Sequence, residues 1–249
     1  MGVGDEELDA RYRVGRPGPV VRFDAIGEGW DLFRRELGVW ILTALIVLLC
    51  NWAVQGFVFS LFGVRHPRGA RDVFRMSLPP GGHAMQVVLT AAIDGFFLGG
   101  MFRMACRQVR GHRIAVGQLF SVTDVLPELI LGSVLYAAIC FVLGTLCVIP
   151  GLIAWGVLMF TIPLIVDGGL PATTALGQSW HALKDQWLTA SVFHLLAWLI
   201  TGIGLCFCCV GILFTGPLYT LSIAVLYRDF FLEKGDPYAA KPGPPFTDF

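Results

Sequence analysis

The sequence predicts an all-α, multi-pass transmembrane bundle of six spans, and three observations carry that prediction. Only 14% of the 249 residues are charged while 55% are hydrophobic, against roughly a quarter charged in a soluble domain. The charges are gathered into a few clusters that bracket long runs without Asp, Glu, Lys or Arg. A six-residue pattern also recurs three times, each time just ahead of a pair of apolar runs.

The spans follow in order. Between Glu36 and Arg65 lie 28 uncharged residues, which as helix would cover about 42 Å and more than cross a ~30 Å hydrocarbon core. Met76 to Phe102 supplies the second run, broken only by Asp94. Glu128 and Asp167 bracket 38 uncharged residues, and Asp185 and Arg228 bracket 42. A span needs roughly 20, so each of these holds two. The turns fall at Pro150-Gly151 in the first, and among Gly202, Gly204, Gly211 and Gly216-Pro217 in the second. Backbone groups in lipid must pair internally, and the strict alternation of a barrel strand is absent, so the spans read as helices. Asp167 marks the end of the fourth.

Residues 1–20 are expected to form a cytoplasmic tail. Their start is acidic, without the apolar stretch of a cleavable signal peptide, and Glu6 stands where myristoylation calls for Ser or Thr. Residues 21–232 form the membrane domain. The segment 233–249, with Pro237, Pro242, Pro244 and Pro245, has no core-forming periodicity and is expected to be disordered. With six spans both termini share a side, which receives fourteen of the 18 Lys and Arg residues, among them Arg103, Arg107, Arg110 and Arg113. The other side has Arg65, Arg68, Arg71 and Arg75, all in one loop that no simple argument explains. The positive-inside rule then places both termini in the cytoplasm and the protein in the cytoplasmic (inner) membrane.

The repeat refines this plan. Ala25-Ile-Gly-Glu-Gly-Trp30, Ala115-Val-Gly-Gln-Leu-Phe120 and Ala175-Leu-Gly-Gln-Ser-Trp180 share Ala, aliphatic, Gly, Glu or Gln, a variable residue, then an aromatic. Apolar positions continue at helical spacing through Ile26, Trp30, Phe33 and Leu37, and through Leu176, Trp180, Leu183 and Trp187. The middle copy weakens at Thr123 and Pro127. Three units result, about 21–110, 111–170 and 171–232, each an amphipathic cytoplasmic helix followed by a helical hairpin. The amphipathic helix is either an interfacial lipid- or partner-binding element or an elbow that steers the chain into its next span. Trp30, Phe120, Trp180 and Trp187 are the expected interfacial anchors.

The stretch Ala172, Ala175, Leu176, Ser179, Trp180 and Trp187, the glycine-rich run to Pro217, and Leu226-Tyr227-Arg228-Asp229 resemble a bacterial six-helix membrane protein family of unknown function, related to the glycerophosphoryl diester phosphodiesterase membrane domain. The resemblance covers most of residues 20–232 and implies a membrane bundle. It implies no activity, because catalysis in those enzymes resides in a separate soluble barrel, and only 21 residues follow Arg228 here.

Chemistry-bearing patterns are sparse. No phosphate-binding glycine loop, His-Glu-x-x-His helix, Gly-x-Ser-x-Gly elbow or pair of catalytic carboxylates occurs, so the chain is expected to be no enzyme. Cys206, Cys208 and Cys209 read as small packing residues rather than metal ligands, and no cofactor is expected. Asp94 is the exception, since an ionisable group at bilayer depth is costly and marks a site by default. Asn51 and Gln55, one turn apart, and His194 are its candidate partners. Two readings stay open: a proton or cation site of a small transporter or channel, or an acid hydrogen-bonded across a helix interface. Gly95, Gly99 and Gly100 permit close helix approach within the bundle. The basic residues lie beside spans, so membrane lipids with anionic headgroups are expected partners rather than nucleic acid. Contact with other membrane proteins, or self-association, completes the partner list.

Overall fold

A computed structural model describes residues 19–61, 80–206 and 211–232, and every regular element among them is helical. Residues 1–18 of the expected N-terminal tail, the C-terminal tail, the Arg65 to Arg75 loop, Cys208 and Cys209 lie outside the described residues, as do the side chains of Gln55 and Cys206. The elements are α1 (Asp24–Arg35), α2 (Leu37–Leu61), α3 (Pro80–Val109), α4 (Leu126–Leu146), α5 (Val148–Val157), α6 (Thr161–Val166), α7 (Ala172–Leu183), α8 (Trp187–Cys206) and α9 (Ile212–Tyr227). A 3₁₀ segment (Val116–Val125) leads into α4, a 3₁₀ turn (Lys184–Gln186) joins α7 to α8, and a turn of π-helix (Arg228–Leu232) follows α9.

Each break has a local cause. Asp24 in the first turn of α1 and Arg34 and Arg35 in its last complement the helix dipole. Its buried residues, Ala25, Gly29 and Phe33, recur every fourth position and form one face. The chain then bends by 97° at Glu36 into α2, whose sequence is apolar on all sides as a lipid-surrounded helix requires. The middle unit differs from expectation: a 3₁₀ segment, not an α-helix, precedes its hairpin. Pro127 explains the boundary, since it sits in the first turn of α4, where its missing N–H costs nothing.

Among the described residues three helical stretches are long and apolar enough to cross a membrane: Val116–Leu146, Val148–Val166 and Ala172–Gly204. The bent pair Asp24–Arg35 and Leu37–Ala53 makes a fourth if it counts as one span. The long helices pack in chain order, α2 on α3, α3 on α4, α4 on α5, α5 on α8 and α8 on α9. The circuit closes where α9 meets α2 and, more extensively, α1.

The tight core lies toward the end of the bundle that carries the elbows. Phe33, Trp40, Met104, Leu119, Phe160, Ile165, Leu183, Phe193 and Leu221 are fully enclosed there. At the far end of the α4–α5 hairpin, Leu146, Val148 and Ile149 are exposed instead. Residues 28–44 and 178–194 have the same succession of exposed, half-buried and buried positions, residue for residue.

Candidate functional site

Two groups of residues deserve separate description: the polar layer at the elbow end, and the polar side chains within the bundle.

At the elbow end, the variable fifth position of the six-residue pattern proves to be a docking point. Gly29, Leu119 and Ser179 are all buried. A Cβ on Gly29 would stand 3.0 Å from Ser222 Oγ and 3.1 Å from Ser222 N on α9. The Leu119 carbonyl oxygen lies so close to Gly100 of α3 that a Cβ there would collide with it. Ser179 Oγ donates to the Val157 carbonyl (2.8 Å) and accepts from Phe160 N–H (3.1 Å). That hydroxyl thereby satisfies backbone groups freed at the α5–α6 break. The aromatic residues one position later, Trp30, Phe120 and Trp180, are 40%, 47% and 46% exposed. Trp187, which opens α8, is also exposed. Trp30 stacks on Phe33 with ring centroids 5.5 Å apart, so its ring extends the buried face outward.

Much of the basic surface anticipated for lipid headgroups is engaged by the protein's own acids. Arg22 pairs with Glu28 (2.5 Å) and Asp229 (2.7 Å), and Arg228 with Glu28 and Asp229 (both 2.9 Å). Hydrogen bonds from Arg22 hold the Glu28 carboxyl below its ordinary value, more than burial raises it, and Arg228 adds to the effect. The same contacts push the Arg22 guanidinium further up. Arg103, itself buried, forks onto Asp124 (2.8 and 3.0 Å) and also donates to the Val166 and Ser121 carbonyls. Asp167 does more than mark the end of a span. Its buried side chain accepts from Arg110 at 2.6 Å, and burial raises its carboxyl above the ordinary range despite that partner. Neutral ties complete the layer. Trp40 Nε1 donates to Gln108 Oε1 (2.7 Å), Gln108 Nε2 to the Leu32 carbonyl (2.7 Å), and Val21 N to Gln186 Oε1 (2.9 Å).

Within the bundle the structure divides the expected polar group. Asn51 Nδ2 donates to Asp94 Oδ1 at 2.6 Å, and the bond is exposed. Asn51 lies 14 residues beyond the start of α2 and Asp94 lies 15 residues before the end of α3. Both are thus about 21–23 Å from the elbow end of their helices. His194 stands elsewhere, 1% exposed, its Nε2 3.1 Å from Tyr219 Oη and its ring 4.5 Å from that of Trp155. The glycines are consumed by internal packing, Gly95 against Ser133 and Gly99 against Leu129. Among the described residues no group of three or more His, Cys, Asp or Glu side chains is placed to hold a metal.

Sequence reading missed Arg103, Gln108, Gln186 and Tyr219. The available signal was weak: polar residues at the margins of uncharged runs, whose partners lie tens to hundreds of positions away. No protein-family model, curated protein or solved structure matches the chain.

Proposed function

We propose that the chain is a six-span protein of the cytoplasmic membrane that performs no chemistry itself and acts by contacting lipid at the interface and assembling with other membrane components. The observation that carries this reading is the 97° bend at Glu36. If α2 crosses the membrane, α1 lies in the membrane plane, its Phe33 face toward the bundle and Trp30 projecting at headgroup depth.

The six-span, threefold plan adds α3 and α9 to the helices that meet the length and apolarity criterion. It draws support from the matching burial of 28–44 and 178–194 and from the shared docking role of Gly29, Leu119 and Ser179. In that plan the segment opening each unit packs under the second span of another unit: α1 under α9, the 3₁₀ segment under α3, and α7 under α6. The resemblance to the phosphodiesterase-associated membrane domain points the same way. The lipid contact runs through half-exposed aromatic rings more than through cations, because Arg22, Arg34, Arg103, Arg110 and Arg228 are ion-paired within the chain.

Depth measurement tests the reading. A spin label at Trp30→Cys, in a background without native cysteines, is expected at headgroup depth, while labels at 45 and 199 report the hydrocarbon. A water-exposed label at 30 would sink the proposal. Cysteines at 70 and 237 are expected to label from opposite sides, and labelling from one side would refute six spans. Proton or cation flux into liposomes that disappears in Asp94→Asn would replace this reading with a transporter.

A further inference from the structure

Asp94 and Asn51 form a polar patch that the bundle does not close. On α3, Gly95 turns to Ser133 of α4, so the neighbouring Asp94 is directed away from that helix pair and is exposed. The bond from Asn51 is the only one it receives among the described residues. An ionised carboxylate offers about four acceptor positions, so most of its capacity is unused among the described residues, and hydrocarbon would not supply the rest.

The third hairpin shows the alternative. At the position in α8 that corresponds to Asn51, the Thr201 hydroxyl donates to the Ala197 carbonyl of its own helix (3.0 Å) and the Thr215 hydroxyl to the Gly211 carbonyl (3.1 Å), while each hydroxyl lies 3.4 Å from the other threonine's backbone carbonyl. That pair is closed and needs nothing from outside. The first hairpin holds an acid and an amide where two hydroxyls would have sufficed for helix pairing.

Building on the reading of the chain as an assembling membrane protein, we propose that the exposed Asn51–Asp94 pair is a docking site for a transmembrane helix of another protein carrying a lysine or arginine at matching depth. Charge complementarity selects that partner. An acid facing hydrocarbon is stable when paired, and intramembrane ionisable residues occur almost always in such pairs. A Lys ammonium brings three donors and no acceptor, which matches the free Asp94 oxygen and the Asn51 carbonyl.

The test uses the full chain, fluorescently labelled at a single cysteine placed at 237, in phosphatidylcholine vesicles. Three model transmembrane peptides serve as probes, oligoleucine helices with Lys, Leu or Glu at the centre. Energy transfer is expected to show the Lys peptide associating about tenfold more tightly than the Leu peptide, the order expected of one polar contact between helices, and the Glu peptide no better than Leu. Asp94→Leu is expected to abolish the preference and Asn51→Ala to reduce it, with thermal unfolding in detergent confirming that both variants fold. Equal binding of the Lys and Leu peptides, or a preference that persists in Asp94→Leu, overturns the proposal. Energy transfer between two copies of the chain that is lost in Asp94→Leu, without a Lys preference, overturns it in favour of self-association. The label depth at residue 30 is independent of all these outcomes, so failure here and failure of the interfacial reading are distinguishable.

Discussion

The first and third elbows are built to one template and finished with different chemistry. Positions 28–44 and 178–194 share their burial pattern, yet Glu28 answers to Gln178, Trp40 to Ala190 and Asn51 to Thr201. At the docking points the contrast continues: three residues beyond Gly100 on α3 stands Arg103, and three beyond Ser222 on α9 stands the buried Val225. The first unit is thus tied to both neighbours by charge and amide groups, whereas the third meets the first through Arg228, Asp229 and Gln186 but the α5–α6 break through the Ser179 hydroxyl. Shape complementarity sets the template, and polar groups are added where a seam needs directional bonds or where an outside partner is met.

Replacing charge by apolar volume in the first unit is the strongest way to break that contrast. Arg103→Met gives α3 the apolar character of α9, but strands the Val166 carbonyl and Asp124. A loss of about 3 kcal/mol is expected in thermal or denaturant unfolding, and Arg103→Lys should rescue little because it lacks the planar fork. An effect under about 1 kcal/mol would mean that the network is ornamental.

Gly100→Ala comes next. Its Cβ would meet the Leu119 carbonyl, and backbone cannot yield as a side chain does, so about 1–3 kcal/mol is expected. Gly177→Ala, with nothing within 4 Å of its Cβ, is the matched control, expected to stabilise α7 by up to about 1 kcal/mol through helix propensity. A smaller effect belongs to Tyr219→Phe, which leaves the buried His194 Nε2 without its partner. About 1 kcal/mol is expected, read as a lower unfolding temperature at neutral pH.

The smallest effect is pH-dependent. Glu28 has a folded-state pKa below its ordinary value of 4.5, so its contribution is fully present above that value and is lost as pH falls through the folded one. Its partial exposure keeps the contribution to about 0–1 kcal/mol. Glu28→Gln, which installs the residue found at 178, is expected to flatten the unfolding temperature between pH 5 and pH 3; an unchanged acid slope would assign it to other carboxylates.

How much was legible follows the same division. Hydropathy exposes apolar length directly, because the hydrocarbon core demands it, and the all-helical class followed. The six-residue pattern opens α-helices at Asp24–Arg35 and Ala172–Leu183, but its middle copy opens a 3₁₀ segment, Val116–Val125. The role of its fifth position was not legible, because Gly29, Leu119 and Ser179 share no property except fitting whatever faces them. Of the three candidate partners of Asp94, Asn51 is the one hydrogen-bonded to it among the described residues. His194 sits at a shallower level on a helix that packs against α5 and α9, and sequence offers no measure of which helices are neighbours. Asp167 was undervalued for the same reason: Arg110, its partner, is 57 positions away.

The Arg22 to Asp229 bond spans 207 positions, and it bears on biosynthesis. Helix α1 leaves the ribosome well before the acid that clasps it. Until then Gly29 has no Ser222 to rest on, and α1 is held by its own bend and by Gln108 of α3, which donates to the Leu32 carbonyl. Loop closure on this scale is slow compared with local helix formation. The closing step of assembly is therefore a late, long-range event, and until it occurs the surface shared by α1 and α9 is unburied.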